Sequence, residues 1–333
     1  MSALNKKSFL TYLKEGGIYV VLLVLLAIII FQDPTFLSLL NLSNILTQSS
    51  VRIIIALGVA GLIVTQGTDL SAGRQVGLAA VIAATMLQAV DNANKVFPDM
   101  ATMPIPLVIL LVCAIGAVIG LINGIVIAYL NVTPFITTLG TMIIVYGINS
   151  LYYDFVGASP ISGFDSHFSH FAQGFVALGS FRLSYITFYA LIAVFFVWIL
   201  WNKTRFGKNI FAIGGNPEAA RLSGIRTTRY KVAAYVIASL LAGLGGILLA
   251  SRIGSSQVNA GGGYLMDAVA AAWIGFSLAG SGKPNALGTL VGAVILGVLS
   301  NGLVMLSVPY YAMDIIKGLV LAVALAITYI QKR

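Results

Sequence analysis

Residues 203–231 read Lys203-Thr-Arg-Phe-Gly-Lys-Asn-Ile-Phe-Ala-Ile-Gly-Gly-Asn-Pro-Glu-Ala-Ala-Arg-Leu-Ser-Gly-Ile-Arg-Thr-Thr-Arg-Tyr-Lys231, the one long polar interval between hydrophobic runs. It carries seven basic residues, Lys203, Arg205, Lys208, Arg221, Arg226, Arg229 and Lys231, against a single acid, Glu218. Within it Gly215 to Gly224 reads as one short helix. Asn216 suits the N-cap, and Pro217 suits the first helical position, where a missing N–H leaves nothing unpaired. Glu218 in the first turn and Arg221 in the last complement the helix dipole, and Gly224 can close the helix in a left-handed conformation. Ala219 and Ala220 give it almost no apolar face. A helix this short is marginal in water, so the spacing predicts that it docks on a partner.

The rest of the chain is built for a membrane. Hydrophobic residues make up 59% of 333 and charged residues 9%, against about a quarter charged in soluble domains. The mean hydropathy is +0.98. Apolar runs long enough to cross a bilayer lie at about 17–36, 51–66, 104–129, 184–202, 232–252, 286–307 and 312–330. Two weaker segments, 74–90 and 134–153, and a short one, 267–280, contain polar and glycine residues and are expected inside the bundle. The fold class expected is therefore an all-α polytopic membrane protein of about 10 transmembrane helices, forming one transmembrane domain over 1–333. Ala60-Gly61-Leu62 matches Ala242-Gly243-Leu244, and Asn123-Gly124 matches Asn301-Gly302, which suggests two pseudo-repeated halves joined by the 203–231 loop.

The net charge of +9 is a topology signal rather than a nucleic-acid patch, because the basic residues sit in short loops beside apolar spans. With the N-terminus in the cytoplasm, ten spans place the central loop and the C-terminal tail there as well. Lys6, Lys7, Lys14, Arg74, Lys283, Lys332 and Arg333 then join the seven central cations inside, while Arg52, Lys95, Arg182, Arg252 and Lys317 lie outside or near the outer ends. Ile18 to Phe31 lacks a cleavage site and reads as an uncleaved first span. The stretch 34–50 reads as a helix lying on the membrane surface, and 154–183 as a longer external loop. Cys113, the only cysteine, reads as a small buried hydrophobe. His167 and His170 in the external loop read as solvated side chains, so no metal or cofactor is expected.

Two breaks within the hydrophobic pattern are candidates for a translocation path. Thr65-Gln66-Gly67-Thr68-Asp69-Leu70-Ser71-Ala72-Gly73 sets Gln66, Asp69 and Ser71 at a junction of spans, where polar backbone must face water or polar partners. A tight turn with Asp69 as an N-cap is the plainer reading. Gly261-Gly-Gly-Tyr-Leu-Met-Asp267 precedes the short segment, and Asp267 fits a path or a cap equally. Asn123 and Asn301 sit within apolar helices and need partners there. Gly116, Gly120 and Gly124, like Gly288 and Gly292, recur every four residues and permit close helix packing. Ala279-Gly-Ser-Gly-Lys283 imitates a phosphate loop, but Ser277 and Pro284 stand where that loop needs glycine and a hydroxyl residue. No nucleophile–base pair appears, so the chain is not expected to be an enzyme.

Taken together, Gly67-Thr-Asp69-Leu-Ser71-Ala-Gly73, Gly214-Gly-Asn-Pro-Glu218-Ala-Ala220, Gly263-Tyr-Leu-Met-Asp267-Ala-Val-Ala-Ala and Asn301-Gly302 resemble, in order and over essentially the whole chain, the permeases of bacterial monosaccharide ATP-binding-cassette importers. That branch carries ribose, xylose, arabinose and galactose. Residues 1 to about 220 look closest to the members that carry galactose and methyl galactoside, and the last third more like the ribose type. The resemblance implies an inner-membrane protein working as two permease copies by alternating access. It also implies a periplasmic sugar-binding protein outside and a separate ATP-binding subunit inside. By the same resemblance Gly215, Asn216, Pro217, Glu218, Ala219, Ala220, Arg221 and Gly224 belong to the coupling helix that inserts into the ATPase. The rival reading, a sugar carrier driven by an ion gradient, would want intramembrane carboxylates or histidines as relays, and only Asp69 and Asp267 qualify.

Overall fold

The computed structural model describes residues 26–157, 160–179, 181–278 and 285–331. Residues 17–25 of the expected first span, the preceding lysines, the imitation phosphate loop with Lys283, and Lys332 and Arg333 lie outside the described residues. Among the described residues the chain is helical almost throughout, as its composition demands. Residues 26–32 are helical and lead through a 3-10 turn, Pro34–Leu37, into α1, Leu39–Val64. There follow α2 (Ala72–Met86), α3 (Ile105–Ala128), α4 (Pro134–Val156), α5 (Ser166–Gln173), α6 (Tyr185–Asn202), α7 (Arg205–Gly215) and α8 (Pro217–Leu222). The chain closes with α9 (Thr227–Ile253), α10 (Gly262–Leu278), α11 (Ala286–Met305) and α12 (Tyr310–Gln331). By length and composition, six described helices can cross a membrane: α1, α3, α4, α6, α9 and α11.

The stretch 34–50 does not lie apart as a surface helix. From Leu39 it is the first half of α1, because its polar residues find partners without interrupting the helix. Thr47 Oγ1 donates to the Ser43 carbonyl at 2.9 Å and Ser50 Oγ to the Leu46 carbonyl at 2.7 Å. Ser43 also donates to the carbonyl of Arg182, pinning this end of α1 to the external hairpin. The expected external loop is itself structured. α5 buries Phe168 and Ala172, and β2 (Phe175–Leu178) pairs antiparallel with β3 (Phe181–Ser184). Ahead of these, the two-residue strand β1 (Ile161–Ser162) pairs with β4 (Ser255–Ser256), which follows α9.

α9 is the axis of the bundle, with α1, α2 and α3 packed against it. Small residues make these crossings possible. A methyl group at Gly116 or Gly120 would meet the Ser239 or Tyr235 carbonyl oxygen at 2.9 or 2.6 Å, and one at Gly124 would meet the Val232 Cα at 2.8 Å. The four-residue glycine stripe of α3 therefore lies directly on the α9 backbone. Gly288 and Gly292 of α11 meet Gly275 and Ala271 of α10 in the same way. Cys113 lies half-buried on α3 rather than fully inside.

This interface gives a first prediction. Gly120→Leu drives four heavy atoms into the α9 backbone and is expected to destabilise the protein by about 3 kcal/mol, the upper range of overpacking. Gly140→Ala, where nothing lies within 4 Å, serves as the control and is expected to be silent. Thermal unfolding in detergent measures both.

Candidate translocation and coupling site

α2 spans 15 residues, or about 22 Å at the helical rise, which is less than the bilayer core. The break before it buries Thr65, Asp69 and Ser71, so its backbone has to be satisfied inside the protein. α1 ends in a Schellman motif: Gln66 N–H donates to the Ile63 carbonyl at 3.1 Å and Gly67 N–H to the Leu62 carbonyl at 2.8 Å. Gln66 takes the left-handed position, with φ of 59°, where glycine is usual. Its side chain turns to the basic segment 203–231, where Nε2 donates to the Gly214 carbonyl at 2.8 Å. Gly67 is small because the Tyr235 hydroxyl would stand 2.8 Å from any Cβ there, and that hydroxyl donates to the Thr68 carbonyl at 3.0 Å.

Beyond these residues lies a buried polar knot. Asp69 Oδ1 accepts from Ser71 N–H at 2.8 Å and from the Ser71 hydroxyl, while Gln75 Nε2 donates to Asp69 Oδ2 at 3.3 Å. Ser71 Oγ also accepts from Gln75 Nε2 at 2.8 Å and from Asn123 Nδ2 at 3.2 Å, which uses the full capacity of a hydroxyl. Asn123 Oδ1 in turn accepts from Thr141 Oγ1 at 2.5 Å, and Thr138 Oγ1 accepts from Leu70 N–H at 3.1 Å. The knot thus ties the break to α3 and α4. Asp69, Ser71 and Asn123 are brought together, and Asp69 also holds the turn into α2. Its bond to the Ser71 N–H is the tight turn of the plainer sequence reading. Gln75, Thr138, Thr141 and Tyr235 were missed, because only their tertiary placement marks them.

Arg74 was missed in another way. Its charge suggested the cytoplasmic end, yet the neighbouring turn of α2 lies against Gly246, well towards the far end of α9 from the basic loop. Arg74 Nη1 donates to Asn259 Oδ1 at 2.6 Å, and the guanidinium sits 4.3 Å from the Tyr146 ring centroid. No carboxylate pairs with it among the described residues. A charge so placed must face water or a polar path.

Asp267 is not an N-cap. It lies inside α10, with Oδ2 at 2.6 Å from Arg52 Nε and Oδ1 at 3.4 Å from Lys317 Nζ, joining α1, α10 and α12. Asn301 is buried in α11 with its Oδ1 unpaired among the described residues. No described hydrogen bond links either of them to the Asp69 knot.

The basic segment 203–231 holds two helices where one was expected. α7 buries Ile210 and Ile213 against the ends of α1 and α6, with Thr204 accepting from Gly207 N–H at 3.3 Å as its cap. Gly215 is the last residue of α7 and not part of the following helix, because Asn216 is extended, with φ −155° and ψ 103°. Asn216 Oδ1 then caps α8, accepting from Glu218 N–H and Ala219 N–H at 3.0 Å each. Gly224, with φ of 82°, closes α8 in a second Schellman motif: Ile225 N–H donates to the Ala220 carbonyl at 3.1 Å and Gly224 N–H to the Arg221 carbonyl at 3.0 Å. Only Ala220 of α8 is buried, while Leu222 is 78% exposed. Glu218 Oε1 pairs with Arg221 Nη2 at 2.6 Å, and that guanidinium holds the Glu218 carboxyl below the usual carboxylate range. Beside α8 opens a cleft of about 560 Å³, lined by Phe206, Asn209, Gly224, Arg226, Arg229 and Tyr230.

A bundle of long apolar helices with a buried polar break, fastened to an exposed and rigidly capped helix, is the architecture of a polytopic membrane protein. The chain belongs to the family described as Branched-chain amino acid transport system / permease component, which matches residues 41–325. It is the permease subunit of an ATP-binding-cassette importer and not an ion-driven carrier. It is 74% identical over 327 residues, 98% of this chain and 97% of the relative, to the galactose/methyl galactoside import permease protein MglC of Escherichia coli (strain K12). The corresponding protein of Salmonella typhimurium is 72% identical over 100% of both chains. The likeness therefore does not stop near residue 220. The ribose import permease protein RbsC of Escherichia coli (strain K12) is 36% identical over 95% of this chain and 94% of its own length. No solved structure matches the chain.

Proposed function

We propose that this permease imports galactose and methyl galactoside across the bacterial inner membrane by alternating access, as one domain over 1–333 with both termini in the cytoplasm. Identity of 74% to a galactoside permease, against 36% to a ribose permease, favours this cargo over ribose or xylose. Two copies form the pathway, a periplasmic sugar-binding protein delivers the sugar, and ATP is hydrolysed on a separate cytoplasmic subunit. Within segment 203–231, α8 and its caps (Asn216 to Gly224) act as the coupling helix. The observation that carries this is α8 itself, fully capped at both ends with one buried residue, Ala220, and so presented for a partner. Gln66, Asp69, Ser71 and Asn123 serve the gate of the path, and Arg74 faces it. Asp267 and Asn301, also expected on the path, fit better as packing residues between helices.

The test is co-purification of the chain with the galactoside ATPase subunit, paired with ATP-dependent galactose uptake in proteoliposomes that contain the binding protein. A stable complex with galactose uptake is the expected result. A complex that carries ribose instead would overturn the cargo, and failure to form a complex would overturn the coupling role of α8.

A further inference from the structure

We infer that Gln66 is a positioning residue that delivers movement of the coupling segment to the gate, a role that rests on the proposed docking of α8. Three observations lead to it. The first is the backbone. Gln66 occupies the left-handed C′ position of a Schellman motif, where glycine is strained least, so the chain holds a side chain there at a cost in backbone strain. The second is the side-chain bond. Gln66 Nε2 donates to the Gly214 carbonyl at 2.8 Å, two residues before the Asn216 cap of α8. Gly214 is pressed so closely on the Val64 carbonyl that a methyl group there would overlap it. The chain entering α8 is thus fastened to the end of α1.

The third observation concerns the chain leaving α8. It becomes α9 at Thr227, and two turns later Tyr235 lies against Gly67 and donates to the Thr68 carbonyl at 3.0 Å. Both flanks of the docking helix therefore grip residues 66–68. Asp69 follows immediately, tied through Ser71 to Asn123 of α3. When α8 is displaced as a rigid body, the 66–68 segment has to follow it or these two bonds have to break. Gln66 itself is exposed, so loss of its amide leaves the packed core intact.

Gln66→Gly isolates the amide, because it keeps the left-handed backbone and removes only the bond to Gly214. The variant is reconstituted with the galactoside ATPase subunit and the loaded binding protein, and uptake is measured per ATP hydrolysed. The expected result is a thermal midpoint equal to or above wild type, undiminished co-purification of the ATPase, and about a 10-fold fall in galactose moved per ATP, within the usual range of coupling between sites. Gln66→Lys, whose ammonium still donates to Gly214, is expected to retain most of the coupling. Wild-type coupling in Gln66→Gly would overturn the inference, as would a loss of uptake that merely tracks a lowered midpoint. Glu218→Lys run alongside separates the two levels. Uncoupling there with a silent Gln66→Gly would remove the role of Gln66 alone. Silence in both variants would remove the docking of α8 together with it.

Discussion

Asp267→Ala is expected to lower the stability of the protein by about 3–5 kcal/mol, the loss seen when one partner of a buried ion pair is removed. Asp267 stands between two cations, Arg52 at 2.6 Å and Lys317 at 3.4 Å, in side chains only 10%, 11% and 22% exposed. The cluster already carries one more positive charge than negative. Its partial compensation comes from Tyr264, whose ring lies 6.0 Å from the Arg52 guanidinium carbon and whose hydroxyl accepts from Arg252 at 2.9 Å. Among the described residues Arg52 Nη1 is already buried without a partner. Removing the carboxylate leaves two cations facing each other in an apolar bundle, where water cannot replace it. The defect should be repaired by removing the charges and not by restoring volume. Asp267→Leu combined with Arg52→Met and Lys317→Met is expected to recover most of the stability, since apolar replacement of whole buried ion clusters is often neutral. Thermal unfolding in detergent decides it. A single variant as stable as wild type would mean that Asp267 does not hold α1, α10 and α12 together.

That cluster shows where sequence reading ends. Arg52 and Asp267 are 215 positions apart, and no local pattern announces that they will meet. Caps, by contrast, are local, and every element of α8 was legible: Asn216 accepting, Pro217 at the first helical position and Gly224 left-handed. α7 was obscured by composition. Phe206, Ile210 and Ile213 have helical spacing, but five of the segment's neighbouring positions are basic or glycine, and the eye reads a polar loop. The expected surface helix over 34–50 was set apart from the span at 51–66, although hydroxyls at Thr47 and Ser50 bonded to the preceding turn let one helix run through. Arg74 was misplaced for a physical reason too. The rule that gathers cations on the cytoplasmic side assumes that a span begins where its apolar run begins. The irregular backbone of 65–71 already carries the chain into the bundle before α2 starts, so Arg74 meets Asn259 and Tyr146 and not the basic loop.

Glu218→Lys is expected to reduce ATP-dependent uptake to background while leaving the folded protein unchanged. The two halves of that expectation follow from different parts of the structure. The fold is indifferent because, among the described residues, the Glu218 carboxylate bonds only to Arg221, three residues on in the same exposed helix. α8 keeps its two Asn216 bonds and its closing Gly224, and no core residue moves. Docking is sensitive because Glu218 is the single acid among seven cations in the segment, on a short helix whose surface is mostly exposed. A lysine there turns the acidic spot on the α8 surface into part of a continuous basic one, which repels where the wild type attracts. The pH response adds a check. Arg221 holds the Glu218 carboxyl below its ordinary pKa, so its charge is present above the usual carboxylate range and is lost only as pH falls through the lowered value. Wild-type coupling should therefore be flat across neutral pH as far as this residue is concerned, and Glu218→Gln should show the uncharged behaviour at every pH. Uptake per ATP in proteoliposomes, beside the thermal midpoint, reads both halves at once. Full uptake with Glu218→Lys would mean that the acid has no part in docking. A lowered midpoint would mean that α8 belongs to the folded core after all.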